Sequence, residues 1–144
     1  MAKAIYPPMH TAQHLLNQTM VRLFGCERNF SAHIEKKKSK CDYRFDRALS
    51  DQEVKQIEDR INRIIADDLE IAEEHLALAE AEKRYDLKRL PVKTEIIRVI
   101  KIGDYDAVPC TGPHVNKTSE IGQFKIISTD YKNKILRIRF KLVN

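Results

Sequence analysis

Two pairs of soft metal ligands dominate this sequence of 144 residues. His10 and His14 frame the run His-Thr-Ala-Gln-His, and about a hundred residues later Cys110 and His114 frame Cys-Thr-Gly-Pro-His. Each pair is spaced i, i+4, which on a helix puts both side chains on one face, within reach of a single ion. Three imidazoles and a thiolate make a donor set suited to Zn2+, which takes nitrogen and sulfur ligands in tetrahedral geometry. Thr11 occupies the place where the zinc-protease pattern His-Glu-x-x-His carries its general-base glutamate, which argues against that class. Four protein ligands are also the closed shell of a structural zinc, so a purely structural ion stays open on the residues alone. His33 and His75 lack a spaced partner and read as ordinary strand residues. Cys26 and Cys41 read as small apolar fillers.

The elements that must bring the two pairs together follow from hydrophobic period. From His10 to Phe24 the spacing predicts a helix with Ala12, Leu15, Leu16, Met20 and Leu23 on one side. His10, His14, Asn17 and Gln18 fall on the opposite side, facing a cleft or solvent, and Gly25 supplies the stop. Short strands follow over Phe30–Ile34 and Cys41–Phe45, joined by a charged turn from Glu35 to Lys40. Ser50 and Glu53 form a capping box, and Val54, Ile57, Ile61, Ile64 and Ile65 mark the buried stripe of a second helix ending near Asp68. A strand over 69–76, a short helix over Ala77–Tyr85, a break at Pro91 and a strand over Glu95–Ile102 come next. Gly103-Asp104 then turns the chain into Tyr105–Val108, which delivers Cys110. A C-terminal hairpin pairs Ile121–Ser128 with Ile135–Val143. In its last strand Leu136, Ile138, Phe140 and Leu142 face inward, with Arg137, Arg139 and Lys141 outward. The fold expected is α+β: one domain over 1–144, an antiparallel sheet packed with two main helices.

Composition narrows the classes. Apolar residues at 42% and charged residues at 33% suit a globular domain and argue against disorder. No run approaches the roughly 18 apolar residues of a membrane span, so no membrane partner is expected, and the N-terminus lacks the apolar core of a secretory signal. Three cysteines without a C-x-x-C pair predict no disulfide framework and a reducing, cytoplasmic setting. The net charge of +5 is unevenly spread: residues 117–144 carry seven bases against two acids, and residues 51–70 seven acids against three bases. One face therefore suits a polyanion. Arg137, Arg139 and Lys141, held in register on a strand, and Lys36, Lys37 and Lys38 in the turn are the candidate phosphate contacts. No aromatic stacking platform is evident.

The residues His10-Thr11-Ala12-Gln13-His14-Leu15-Leu16, then Cys110-Thr111-Gly112-Pro113-His114-Val115, then Glu120-Ile121-Gly122-Gln123-Phe124-Lys125-Ile126, resemble the editing domain shared by alanyl- and threonyl-tRNA synthetases. The resemblance runs from His10 to the terminal hairpin. With no synthetase core alongside, the chain looks most like a short free-standing trans-editing factor of the AlaX type. Gly112-Pro113 resembles the threonyl enzyme and Glu120-Ile121-Gly122 the alanyl group. Val108 stands where an acidic residue is often found, with Asp106 four before the cysteine. The resemblance implies zinc-dependent hydrolysis of a mischarged aminoacyl-tRNA at its acceptor end, with His10, His14, Cys110 and His114 as metal ligands and catalytic centre. Serine, similar to both alanine and threonine, is the amino acid it points to, on tRNA(Ala) first and tRNA(Thr) second. Thr11, Gln13 and Thr111 are candidates to touch the substrate's hydroxyl or amine. Two other classes stay in view: a non-catalytic module that binds tRNA or a synthetase, with structural zinc, and a metal-dependent hydrolase of another small ester.

Overall fold

Helix α1 (Pro7–Phe24) starts three residues before His10. Proline suits the first helical positions, where the N–H has no intrahelical partner, and Met9 in that turn is fully buried. The helix stops at Gly25, which adopts φ 68 and returns its N–H to the Val21 carbonyl. The computed structural model describes residues 5–88, 90 and 94–143; the break expected at Pro91 lies outside them.

Two antiparallel sheets follow, where the pattern suggested one. The larger has the order β1-β2-β7-β6, from β1 (Ser31–His33), β2 (Ser39–Arg44), β6 (Gln123–Lys132) and β7 (Ile135–Val143). The smaller has the order β3-β4-β5, from β3 (Ile71–Ala77), β4 (Ile96–Ile102) and β5 (Asp106–Pro109). Between β6 and β7 lies a two-residue turn, Asn133-Lys134, with φ 53 and 62, the hand that matches the twist of the paired strands. Pro109 is tolerated because β5 is an edge strand. Helix α2 (Asp51–Ala66) opens with the predicted capping box, Ser50 accepting from Glu53 N–H while Glu53 accepts from Ser50 N–H. Helix α3 (Leu78–Arg84) lies beside β3 and β4.

Helices α1 and α2 and the inner face of the larger sheet share the main core. Leu15, Leu16, Met20, Ile57, Ile61, Tyr43, Phe124, Ile138 and Phe140 are all essentially inaccessible there. Each such aliphatic side chain contributes about 1.5–3 kcal/mol relative to an exposed one. Helix α2 also shields β6: Asn62 exchanges two hydrogen bonds with the Phe124 backbone, and Glu58 accepts from Ile126 N–H. Such cover removes an open strand edge. A second, smaller cluster of Ala81, Leu87 and Ile97 sits under α3.

Candidate metal centre

His10 and His14 lie on consecutive turns of α1, on the face opposite its main apolar stripe. That face is covered, not open: His14 and Asn17 are each only 7% exposed. Asn17 accepts from the Tyr43 hydroxyl at 2.7 Å and from Asn29 N–H at 3.3 Å. Its placement on a cleft or solvent face therefore gives way to a structural role. Gln18 is tied up likewise, its amide donating to the Tyr105 carbonyl at 2.9 Å.

Cys110 and His114 come from the loop after β5. The β4–β5 ladder ends where Cys110 N–H donates to the Arg98 carbonyl at 3.1 Å. Beyond His114 the chain is pinned by Thr118, which accepts from Leu69 N–H and donates to the Ile64 carbonyl. Glu120 accepts from the N–H groups of Asn116 and Lys117, so this residue of the third motif secures the loop's exit. Gly112 is buried against the His10 ring: a Cβ there would lie 2.8 Å from His10 Nδ1.

The four candidate ligands meet. One potential donor atom from each of His10, His14, Cys110 and His114 lies within 4.8 Å of the others. The His10 and His114 rings stack at 4.2 Å, and His14 stands edge-on to His10 at 5.0 Å and to His114 at 4.5 Å. Zn–N bonds of about 2.0–2.1 Å and Zn–S of about 2.3 Å imply ligand separations of roughly 3.3–3.8 Å in a tetrahedron. His10 Nε2 and Cys110 Sγ, 3.5 Å apart, already stand at that spacing.

Two of the three imidazoles are hydrogen-bonded from behind. His10 Nδ1 lies 3.0 Å from the Pro113 carbonyl, which can only accept, so Nδ1 carries the proton and Nε2 keeps its lone pair. His114 Nδ1 pairs with Thr11 Oγ1 at 2.9 Å, and Thr11 Oγ1 accepts from Val115 N–H at 3.3 Å. His14 Nδ1 stands 3.9 Å from Asp106 Oδ2, and Asp106 is itself ion-paired with Arg28. His14 Nδ1 and His114 Nε2 are buried with no hydrogen-bond partner among the described residues. An unpartnered buried nitrogen is costly, and with His114 Nδ1 taken by Thr11, an ion held through Nε2 would satisfy it.

Electrostatics agree. Burial first, and then the adjacent imidazoles and Arg98, hold His14 well below the usual histidine value of 6.5. The same causes push His114 down to about 3. Burial lowers His10 too, against the opposing hydrogen bond to Pro113. The rings are therefore neutral, with lone pairs available. Burial raises the Cys110 thiol, opposed by the N–H groups of Gly112 and Thr111 and by Arg98.

The other predicted residues are placed less simply. Thr11 is fully buried with its hydroxyl committed to His114 and Val115, which sets it behind the His114 ring. Gln13 donates to Asn29 Oδ1 at 3.3 Å. Thr111 is exposed on the ligand loop. Lys36, Lys37 and Lys38 are exposed in the β1–β2 turn. Arg137 is held by both oxygens of Asp42, and Arg139 is paired with Asp130. Lys141 is exposed, directly opposite Lys125. Asp106, Arg28, Arg98 and Gly112 carry roles that the sequence reading did not give them. The signals were an acid alternating with Val108 on the strand leading to Cys110, and a lone arginine between Ile97 and Val99.

Residues 97–138 match the family described as the threonyl and alanyl tRNA synthetase second additional domain. The chain is 33% identical over 137 residues to an alanine–tRNA ligase of Staphylothermus marinus, covering 91% of this chain and 15% of the ligase. It is 32% identical over 125 residues to that of Pyrococcus abyssi, covering 84% and 14%. Against that of Methanopyrus kandleri it is 31% identical over 136 residues, covering 91% and 15%. The chain thus spans about one seventh of the length of these relatives.

Proposed function

The chain belongs to the family of the threonyl and alanyl tRNA synthetase second additional domain, and from that premise we propose that it hydrolyses the ester of a mischarged aminoacyl-tRNA in trans. Seryl-tRNA(Ala) is the first substrate and Ser-tRNA(Thr) the second. The observation that carries this reading is the convergence of His10, His14, Cys110 and His114, with the unpartnered Nε2 of His114, in a chain of this family. These four residues would hold Zn2+, which when bound supplies Lewis acidity at the ester.

The chain's own groups do the rest. Pro113 and Thr11 fix the His10 and His114 rings, so little reorganisation of these two is needed when substrate arrives. Thr111, exposed beside Cys110, is the candidate to meet the substrate's hydroxyl or amine. A bonded hydroxyl is what gives strong discrimination, about 10⁴-fold, against amino acids that lack it. On the outer face of the larger sheet Lys141 and Lys125 are like charges directly opposite each other, an arrangement that an RNA phosphate relieves. Lys36, Lys37 and Lys38 are proposed to add to this positive surface, whereas Arg137 and Arg139, each neutralised by a carboxylate, add less. No described helix is long and apolar enough to cross a membrane, and a cytoplasmic setting belongs to the proposal.

One observation favours a second reading. Four protein ligands close a tetrahedral shell, the pattern of structural zinc; on that reading the domain binds tRNA without cleaving it. Zinc-replete protein should release serine from Ser-tRNA(Ala) or Ser-tRNA(Thr), with Gly-tRNA(Ala) as a third substrate, and His14→Ala should stop it. Tight tRNA binding with no ester cleavage on any of the three overturns the hydrolytic reading. Equal rates on free aminoacyl esters would shift the assignment to a hydrolase of small esters.

A further inference from the structure

We infer that Arg98 is a positioning residue that sets the direction of the Cys110–Thr111 peptide and so aims the Thr111 N–H at the Cys110 sulfur. The inference rests on the metal-binding reading above. Arg98 is largely buried, with its side chain 23% exposed, between Ile97 and Val99 on β4. Its Nη1 donates to two carbonyls of the ligand loop, Cys110 at 3.1 Å and Gly112 at 2.7 Å. Its Nε and Nη2 are held by Glu73 Oε1 on β3 at 2.8 and 2.6 Å. Its own carbonyl accepts from Cys110 N–H. The guanidinium thus has its planar fork committed on both sides, a geometry that lysine cannot reproduce.

The consequence follows from peptide geometry. No cis peptide bond occurs among the described residues, and in a trans peptide the C=O and N–H point in opposite directions. Fixing the Cys110 carbonyl on Arg98 therefore turns Thr111 N–H to the other side, away from the guanidinium. The N–H groups of Thr111 and Gly112 oppose the rise that burial imposes on the Cys110 thiol. Such donors draw electron density from a ligating thiolate and tune its bond to a metal. The same grip holds the Gly112 backbone flush against His10, on the opposite arm of the site. Arg98 thus sets the second ligand pair against the first without touching the metal itself.

The test uses two readouts on wild type, Arg98→Lys and Glu73→Gln: Zn2+ affinity by chelator competition, and the thiolate-to-cobalt charge-transfer band of Co2+-loaded protein. Arg98→Lys should bind Zn2+ about 10–100-fold more weakly, the range expected when an outer partner of a metal ligand is lost. Its band should move to lower energy, because a sulfur stripped of N–H donors gives up charge more readily. Glu73→Gln should change both in the same direction by less. Weakened affinity with an unmoved band assigns Arg98 a merely structural part and overturns the inference. So does a folded Arg98→Lys that matches wild type in both readouts. If Arg98→Lys fails to fold, a Glu73→Gln protein unchanged in both overturns it. Wild type that loads neither ion overturns this inference and the reading beneath it together.

Discussion

The two ligand pairs stand on unlike ground. His10 and His14 rise from α1, whose buried residues include Met9, Ala12, Leu15, Leu16, Thr19 and Met20, all sealed in the main core. Cys110 and His114 hang from the loop after β5, in a three-stranded sheet whose own cluster is Ala81, Leu87 and Ile97. The first pair is placed by apolar packing, which tolerates much. The second is placed by single hydrogen bonds: Arg98 on two carbonyls, Thr118 and Glu120 on the loop's exit, Thr11 on His114. A dense core fixes a helix by many small contacts, whereas a loop fixed by a few polar ones depends on each of them. The site is therefore a seam, and an ion there would join the smaller sheet to the larger body.

Acid should open that seam, with the largest effect. Between pH 6.5 and about 3 the unfolded chain protonates imidazoles that the folded chain keeps neutral. The unfolded state then binds more protons, so the stability of metal-free protein falls as pH drops through this window. The loss is about 1.4 kcal/mol per pH unit for each imidazole kept neutral. Urea unfolding in chelator, at pH 6.5 and 4.5, should show the loss, and His114→Gln should flatten it. Amide exchange should reveal β5 and the ligand loop opening before α1. An equal slope in His114→Gln would mean that the seam is not where acid acts.

The two bodies can also be compared by cavity. Leu16→Ala should cost about 2–5 kcal/mol of global stability. Ile97→Ala should fall at the low end of that range and release α3 and β3 locally, because its cluster is small. Equal global losses in calorimetry would erase the distinction.

The same contrast explains what could be read from sequence. Elements resting on periodic apolar residues were legible: α1 through Leu15, Leu16 and Met20, α2 through its capping box and isoleucines, β7 through its strict alternation. The convergence of His10, His14, Cys110 and His114 was legible because ligand chemistry restricts residue types and spacing. The partners were not. Asp106 and Arg98 reach the site by strand register and across the sheet, and nothing local in the chain marks those pairings. The covered face of α1 was misjudged for a related reason: His14 packs on the small sheet and its loop, and Asn17 on Tyr43 and Asn29, which period alone cannot see. The division into two sheets is equally a matter of pairing, with Glu73 opposite Ile100 and Lys125 opposite Lys141.

Asp106 tests how far the helix side of the seam also depends on polar contacts. It is a buried carboxylate paired with Arg28 and facing the unpartnered Nδ1 of His14. Asp106→Asn keeps the shape and removes the charge. Zn2+ affinity should fall about 10–100-fold, with α1 still folded by circular dichroism. An unchanged affinity would show that packing alone orients His14, making the two ligand pairs more unlike than drawn above.

The smallest effect separates the two bodies by charge. The larger sheet's outer face carries Lys125 and Lys141 opposite each other, whereas on the smaller sheet Glu73 and Glu74 answer Arg98 and Lys101. A polyanion should therefore be met by the larger body. Lys141→Ala should weaken tRNA binding modestly and reduce the slope of log affinity against log salt by about 1. Lys83→Ala, an exposed cation on α3, should leave that slope unchanged. Arg137 is committed to Asp42 through both carboxylate oxygens, so Arg137→Ala should alter the slope less than Lys141→Ala. If Lys83→Ala instead lowers the slope as much as Lys141→Ala, RNA approaches across both sheets, and the acidic β3 is no barrier to it.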